Sequence, residues 1–560
     1  MKDCKFNNMQ GNRLMNMNDL TRRAFLNKSV AMSSMAIVPN LMSSAALAGG
    51  HSGTMVIAAP ATPQSLDCEY DVSLGTFEAV AALYDGLVEF EKMADPSVPT
   101  AQRENTAYYA DEVGGVKMKG KLAESWELQP DGKRIVFKLR EGVMSNWGNE
   151  LTAEDVKWTW DRKFGLAAIG GFYTKVSGLK RPEDVRVEGK YTISFNLDNP
   201  NPLILKIHPN LYNPIYDSTK CKEVATSEDP WAKGFIENNS AGFGPYTLES
   251  MARGQQAVFA ARKDYWQGKP AIDRVIFKEV PTSASRVQLL QGGAVDIAQY
   301  LQPLEIMSLK NSTKVAVETV PASFMIWIEL NAKMAPFDNV DIRRAMNYAF
   351  PMEDVMSSVY QGLASPLDGC MPNIYPGFVG GSPYTYDPGK AKELLAKAGF
   401  SGGFESTLSY NAGDPVQEPI AILYQSALRD IGVNLSLEKV PAGSFYNAVS
   451  QREKAMIFYV DSPWCPDPGY SMTLYFDSES FVNYSNYVNS EVDALLKTAA
   501  ETADESIRLD AMGKAQAIVM DEAPWTFVAY PNYTMARNTD LTGWTYYTSN
   551  NMRFQDFSKS

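Results

Sequence analysis

Histidine, the commonest general base and zinc ligand, occurs only at His51 and His208 in 560 residues. That scarcity nearly excludes a histidine-built zinc or nickel centre and most histidine acid/base catalysis. No Gly-x-Ser-x-Gly or His-Glu-x-x-His pattern occurs, so nucleophile-elbow and zincin chemistries have no footing. Carboxylates are plentiful, yet no spacing singles out the pair an exported glycosidase would need. Ten Trp, 28 Tyr and 25 Phe are enough for a packed core and for an aromatic-lined ligand cavity. Cys68, Cys221, Cys370 and Cys465 lie beyond the N-terminal segment, and in an oxidising compartment four thiols permit two disulfides in three pairings.

The elements that must position such a cavity alternate in type. Met55–Ala59 is an apolar strand, and Thr76–Leu87 reads as a helix with Phe77, Val80, Leu83 and Tyr84 on one stripe. Residues 92–121, polar and rich in Pro, Gly and Lys, read as a surface excursion. Glu124–Gln129 and Arg134–Arg140 flank Pro130-Asp131-Gly132-Lys133 as a hairpin with one buried face. Thr152 caps a helix with Asp155 as the acidic partner, and Val156, Trp160 and Phe164 form its core stripe. A helix opening at Ser283 stops at Gly292-Gly293. The theme restarts near residue 321 with a strand at Met325–Asn331 and a helix at Asn339–Tyr348, which Arg343 and Arg344 serve structurally. A further helix is capped by Asp387 and ends at Gly399. Strands alternating with helices predict an α/β fold, and length alone sets three to four domains.

Charge bounds the partners. With 52 Lys and Arg against 65 Asp and Glu the chain is net −13, which excludes a nucleic-acid backbone as ligand. The N-terminal stretch reads as an export address. Arg22-Arg23 precede Phe25-Leu26, a weak apolar run follows to Leu47, and Ala46-Leu47-Ala48 ends in small residues, placing cleavage after Ala48. Residues 1–48 carry six Lys or Arg and two Asp, so the remainder holds 46 basic and 63 acidic side chains, net −17. Beyond it no apolar run reaches the roughly 18 residues of a membrane span. A twin-arginine signal and a periplasmic destination are expected.

Leu122–Trp126 through Gly132, Phe137–Val143, Leu151–Val156, Gly242–Tyr246, Asp264–Trp266 with Gly268–Pro270, Arg286–Ala298, Ala335–Val340 and Arg343–Ala349 occur in an order and spacing that resemble one family. It is the extracytoplasmic solute-binding proteins of the dipeptide/oligopeptide/nickel class, family 5, which serve ATP-binding-cassette importers. The resemblance covers about residues 54–545 and implies a periplasmic-binding-protein-like α/β fold of two lobes, a hinge and an extra subdomain in lobe one. The boundaries it implies are 1–48 signal, 49–90 lobe I, 91–238 extra subdomain, 239–320 lobe I, 321–523 lobe II and 524–560 the return to lobe I. It implies binding and closure without catalysis, no cofactor and no metal. The expected partners are a small solute (peptide, opine or oligosaccharide) and a membrane permease, the binding protein itself being a monomer.

Peptide-binding members carry an Asp that pairs with the ligand's α-ammonium, in a Trp-rich segment before an Asp-Pro-like turn. Here that segment is Tyr459-Val460-Asp461-Ser462-Pro463-Trp464-Cys465-Pro466-Asp467-Pro468. Anchored on Asp467-Pro468, the family acid falls on Trp464; anchored on Trp464-Cys465, it falls on Asp467. A cleft carboxylate favours an ammonium group, whereas an indole offers a flat face to a sugar ring or a cation. Asp461, Asp71, Tyr70 and Trp327 complete the candidates, Trp327 being equally suited to the core. A small peptide is the first expectation, an oligosaccharide or opine the second, and an exported hydrolase the third.

Overall fold

Thr54–Ala59 lies parallel to both Arg274–Glu279 and Ile297–Ala298, at the centre of a seven-stranded sheet in a computed structural model that describes residues 53–71, 75–166 and 168–560. The strand order is 246–252, 256–261, 274–279, 54–59, 297–298, 533–538, 315–320. The export signal expected at residues 1–48 lies outside the described residues. Among those residues no helix is long and apolar enough to cross a membrane.

A second sheet of six strands runs 364–366, 525–531, 325–330, 456–461, 405–411, 434–440. Met325–Leu330 is buried at all six positions and has a paired strand on either side, so both of its faces are covered and, Glu329 apart, it reads as an apolar run rather than an alternating one. The chain passes between the sheets at 321–324 and again at 532. The boundary expected at 524 is therefore too early: Trp525–Pro531 is a strand of the six-stranded sheet, and the return begins after it. Its apolar sequence suits either sheet, and long-range pairing decides.

The first passage is tied at a buried knot. Ser323 Oγ lies 2.6 Å from Ser462 Oγ and donates to the Thr548 carbonyl at 2.7 Å, while Asn550 Nδ2 donates to both serine hydroxyls at 2.8 and 2.9 Å. The Tyr546 hydroxyl accepts from Ser323 N at 2.8 Å. The knot fixes the residue next to Ser462, namely Asp461.

A separate antiparallel sheet (123–128, 134–139, 192–196, 185–189) contains the expected hairpin. Helix Ala153–Gly165 packs against it, with Asp155 accepting from Thr152 N at 2.7 Å and Val156 and Trp160 fully buried. Helix Val340–Tyr348 is capped by Asn339 and helix Pro388–Lys397 by Asp387, and Gly399 stops the latter at φ 88°. Arg343 is structural, donating to the carbonyls of Glu522 and Phe337, and Arg344 pairs with Asp521. In Gly242–Tyr246 both glycines are forced, since a Cβ on either would collide with the Leu83 backbone at the end of helix Thr76–Leu83.

The stretch 92–121 is not a plain excursion. It forms short strands at 92–94, 102–104 and 118–120, and Gln102–Glu104 pairs in parallel with Thr545–Tyr546 from the far end of the chain. Gly115–Lys121 has Gly-x-x-x-x-Gly-Lys spacing but ends at Leu122, and its Lys121 is bound to Asp85 at 2.7 Å, so it cradles no phosphate. The disulfides allowed by composition do not form: all four thiols are free and buried. The Cys68 thiol faces the Tyr216 hydroxyl, Cys370 faces Met472 Sδ, and Cys465 donates to the Lys206 carbonyl.

Candidate ligand-binding site

Strand Met456–Asp461 runs antiparallel to Met325–Leu330 and ends opposite Met325, so Asp461 emerges where the two halves meet. Ser462 N donates to its Oδ1 at 2.7 Å, and among the described residues it has no ion pair. Burial raises its carboxyl to about 7, with only the Ser462 N–H and the Tyr475 hydroxyl opposing the rise. It keeps part of its surface accessible, as a ligand contact must. Tyr459, Tyr470, Tyr475 and Tyr484 from its own half and Tyr212 from the other all feel its charge, and burial pushes every one of these phenols upward. The Tyr212 hydroxyl is buried and makes no hydrogen bond among the described residues.

Trp464 closes the aromatic wall. Half-buried, it packs on Tyr212 with ring centroids 4.4 Å apart and on Phe77 at 6.0 Å, both from the half built on the seven-stranded sheet. Tyr212 in turn stacks on Tyr173 at 5.4 Å. These contacts leave a carboxylate and a phenol in apolar walls, an arrangement suited to a cation that also donates hydrogen bonds.

Asp467 does different work from the ammonium pairing that one alignment gave it. It caps helix Pro468–Phe476, with Oδ1 accepting from Gly469 N at 2.8 Å and from Arg508, while Oδ2 accepts from Lys206 Nζ at 2.7 Å. Burial would raise this carboxyl, but Arg508 and Lys206 overcome that and hold it at about 2. Its acceptors are occupied by the protein itself.

Trp327 resolves to the core. It is fully buried, stacks on Trp525 at 4.1 Å and donates from Nε1 to Glu329 at 2.7 Å. Asp71 lies near the site, within electrostatic reach of Tyr212, and closes its own loop by accepting from Ser65 N at 2.9 Å and Thr76 Oγ1 at 2.8 Å. That loop is pinned by buried ion pairs, Asp67 to Arg162 and Glu69 to Lys163. Tyr70 is 42% exposed, with the Lys233 ammonium 4.0 Å over its ring. Tyr212 and Tyr475 were not foreseen: no motif surrounds them, and only long-range packing brings them to Asp461. Lys206, in an apolar stretch, carries one local signal, a charge amid leucine and isoleucine that must find a buried partner.

Two α/β halves, joined by two chain passages and meeting over a carboxylate and aromatic rings, define a two-lobed binding protein. The chain belongs to the bacterial extracellular solute-binding proteins, family 5, whose middle-region profile matches residues 117–483. A probable D,D-dipeptide-binding periplasmic protein, DdpA of Escherichia coli K12, is 29% identical over 500 residues, covering 88% of this chain and 91% of that protein. Heme-binding protein A of Haemophilus influenzae is 27% identical, covering 74% and 80%. Among solved structures, Helicobacter pylori DppA in complex with the peptide STSA matches with TM-score 0.78 at 23% identity, covering 90% of this chain and 98% of that one. AgaA of A. tumefacien R10 in complex with agropinic acid matches with TM-score 0.76 at 21% identity, covering 91% and 99%. The protein is thus an extracytoplasmic substrate-binding protein of an ABC importer, and its relatives are binding proteins rather than enzymes.

Proposed function

We propose that the protein captures a small peptide or peptide-like solute through its primary ammonium group, seated on Asp461, and delivers it to the membrane permease. The observation that carries this reading is Asp461 itself, a desolvated carboxylate with no cation beside it among the described residues. An ammonium supplies the missing charge and donates to the idle Tyr212 hydroxyl as well. Trp464 and Phe77 then cover the first side chain of the solute. The dipeptides named for several relatives carry such a group, and an opine retaining a protonated nitrogen fits the same pocket. In this reading residues 1–48 direct export, are cleaved after Ala48, and the capture takes place in the periplasm.

A thermal-shift screen of mature protein tests the reading. It compares dipeptides of both chiralities, opines and oligosaccharides, each amine alongside its N-acetylated form. Stabilisation by amines and none by their acetylated forms is expected. Stabilisation by neutral oligosaccharides alone would overturn it.

A further inference from the structure

The ion cluster at Asp467 joins the two halves asymmetrically. Lys206 lies on helix Leu203–Lys206, in chain that belongs with the seven-stranded sheet, whereas Asp467 and Arg508 both belong with the six-stranded one. The three side chains are almost completely buried, and Glu505 pairs with Arg508 at 3.0 Å, so two cations face two anions. Drawing the halves apart would leave Asp467 with Arg508 and the helix N–H groups while Lys206 returned to water. No buried anion is stranded, so this contact can break and re-form at modest cost, unlike Asp67–Arg162, which lies within one half. Cys465 donates to the carbonyl of Lys206, so the segment that follows Trp464 is held to Lys206 at two points. Phe172 packs on Tyr470 and Phe481 beside it, at 5.7 and 5.5 Å, along the same seam.

From this geometry we infer that Lys206 is a closure latch. It is a positioning residue that touches no ligand and acts through Asp467 to seat Trp464 against Tyr212 and Phe77. Its contribution exists only in the closed form, so it strengthens every ligand by one common factor and leaves the ranking of ligands unchanged. The inference rests on the binding reading above but not on the identity of the solute.

The test compares wild type, Lys206→Met and Lys206→Arg, each confirmed folded by its melting curve, with Asp461→Asn alongside. Small-angle scattering reports compaction of ligand-free protein, and calorimetry with L-alanyl-L-alanine and D-alanyl-D-alanine reports affinity. Lys206→Met should expand the ligand-free protein and weaken both dipeptides about tenfold, through faster dissociation, with their ratio held within about twofold. Lys206→Arg should restore most of both. Unchanged scattering and affinity in Lys206→Met, or an altered dipeptide ratio, would overturn the latch even where Asp461→Asn abolishes binding. If neither dipeptide binds wild type, unchanged scattering alone overturns it and expansion reversed by Lys206→Arg supports it.

Discussion

Lowering the pH from 7 to 5 should weaken an ammonium-bearing ligand about fiftyfold, because the carboxylate that receives it is protonated before the ligand changes. With the Asp461 carboxyl raised to about 7, half of the free protein is competent at pH 7 and roughly one molecule in a hundred at pH 5. A salt-bridged Asp461 in the complex stays ionised throughout, so the full ratio, about 2.3 kcal/mol, appears in the affinity. Over this window the ligand's ammonium, with a normal pKa of about 8, stays charged, and its carboxylate, near 3.5, stays ionised. The surrounding phenols are all pushed upward, Asp467 is held near 2, and His208 is pushed by burial to about 3, so none of them changes state. Calorimetry of a dipeptide in buffers of different ionisation enthalpy would read both the affinity and the proton released, about half a proton per ligand at pH 7. Asp461→Asn should flatten the profile. A wild-type affinity constant from pH 5 to 7, with no proton release, would refute the assignment of Asp461 as the ammonium seat.

The same carboxyl makes a stability prediction of opposite sign. Its raised pKa means that the folded state binds more protons than the unfolded between about pH 4 and 7, so ligand-free stability falls as pH rises through that range. Ligand-free Asp461→Asn should therefore melt above wild type at pH 8 and coincide with it near pH 4 by scanning calorimetry. Trp327→Ala should cost about 3 to 5 kcal/mol in urea unfolding through loss of its stacked, fully buried indole. Trp464→Ala, half-buried at the junction, should cost far less stability and chiefly weaken ligand binding in a calorimetric titration. The thiols of Cys68, Cys221, Cys370 and Cys465 should resist a thiol reagent in the native protein and react on denaturation, since burial pushes each well above the usual thiol range.

Much of the fold was legible because local signals agree with the tertiary outcome. Thr152 with Asp155, Asn339, Asp387 with Gly399, and the Pro130–Lys133 turn each specify an element through chemistry within four or five residues. Where pairing partners lie hundreds of residues apart the sequence is mute, as for Gln102–Glu104 against Thr545–Tyr546, or for the allegiance of Trp525–Pro531. The site divides in the same way. The segment from Tyr459 to Pro468 stood out as a run of acids, prolines and an indole. Which acid is paired within the protein depended on Lys206 and Arg508, remote in sequence, which occupy Asp467, while Asp461 has no cation among the described residues. Trp327 went to the core because its strand is covered on both faces, so alternation carried no information there.

The central claim is that a solute ammonium rests on Asp461. It is tested most directly by titrating the strongest dipeptide from the thermal-shift screen into wild type and into folded Asp461→Asn by calorimetry at pH 7. Loss of a hundredfold or more in affinity, with no comparable loss in Asp71→Asn, is the predicted result. An Asp461→Asn protein that binds the dipeptide as tightly as wild type would contradict it.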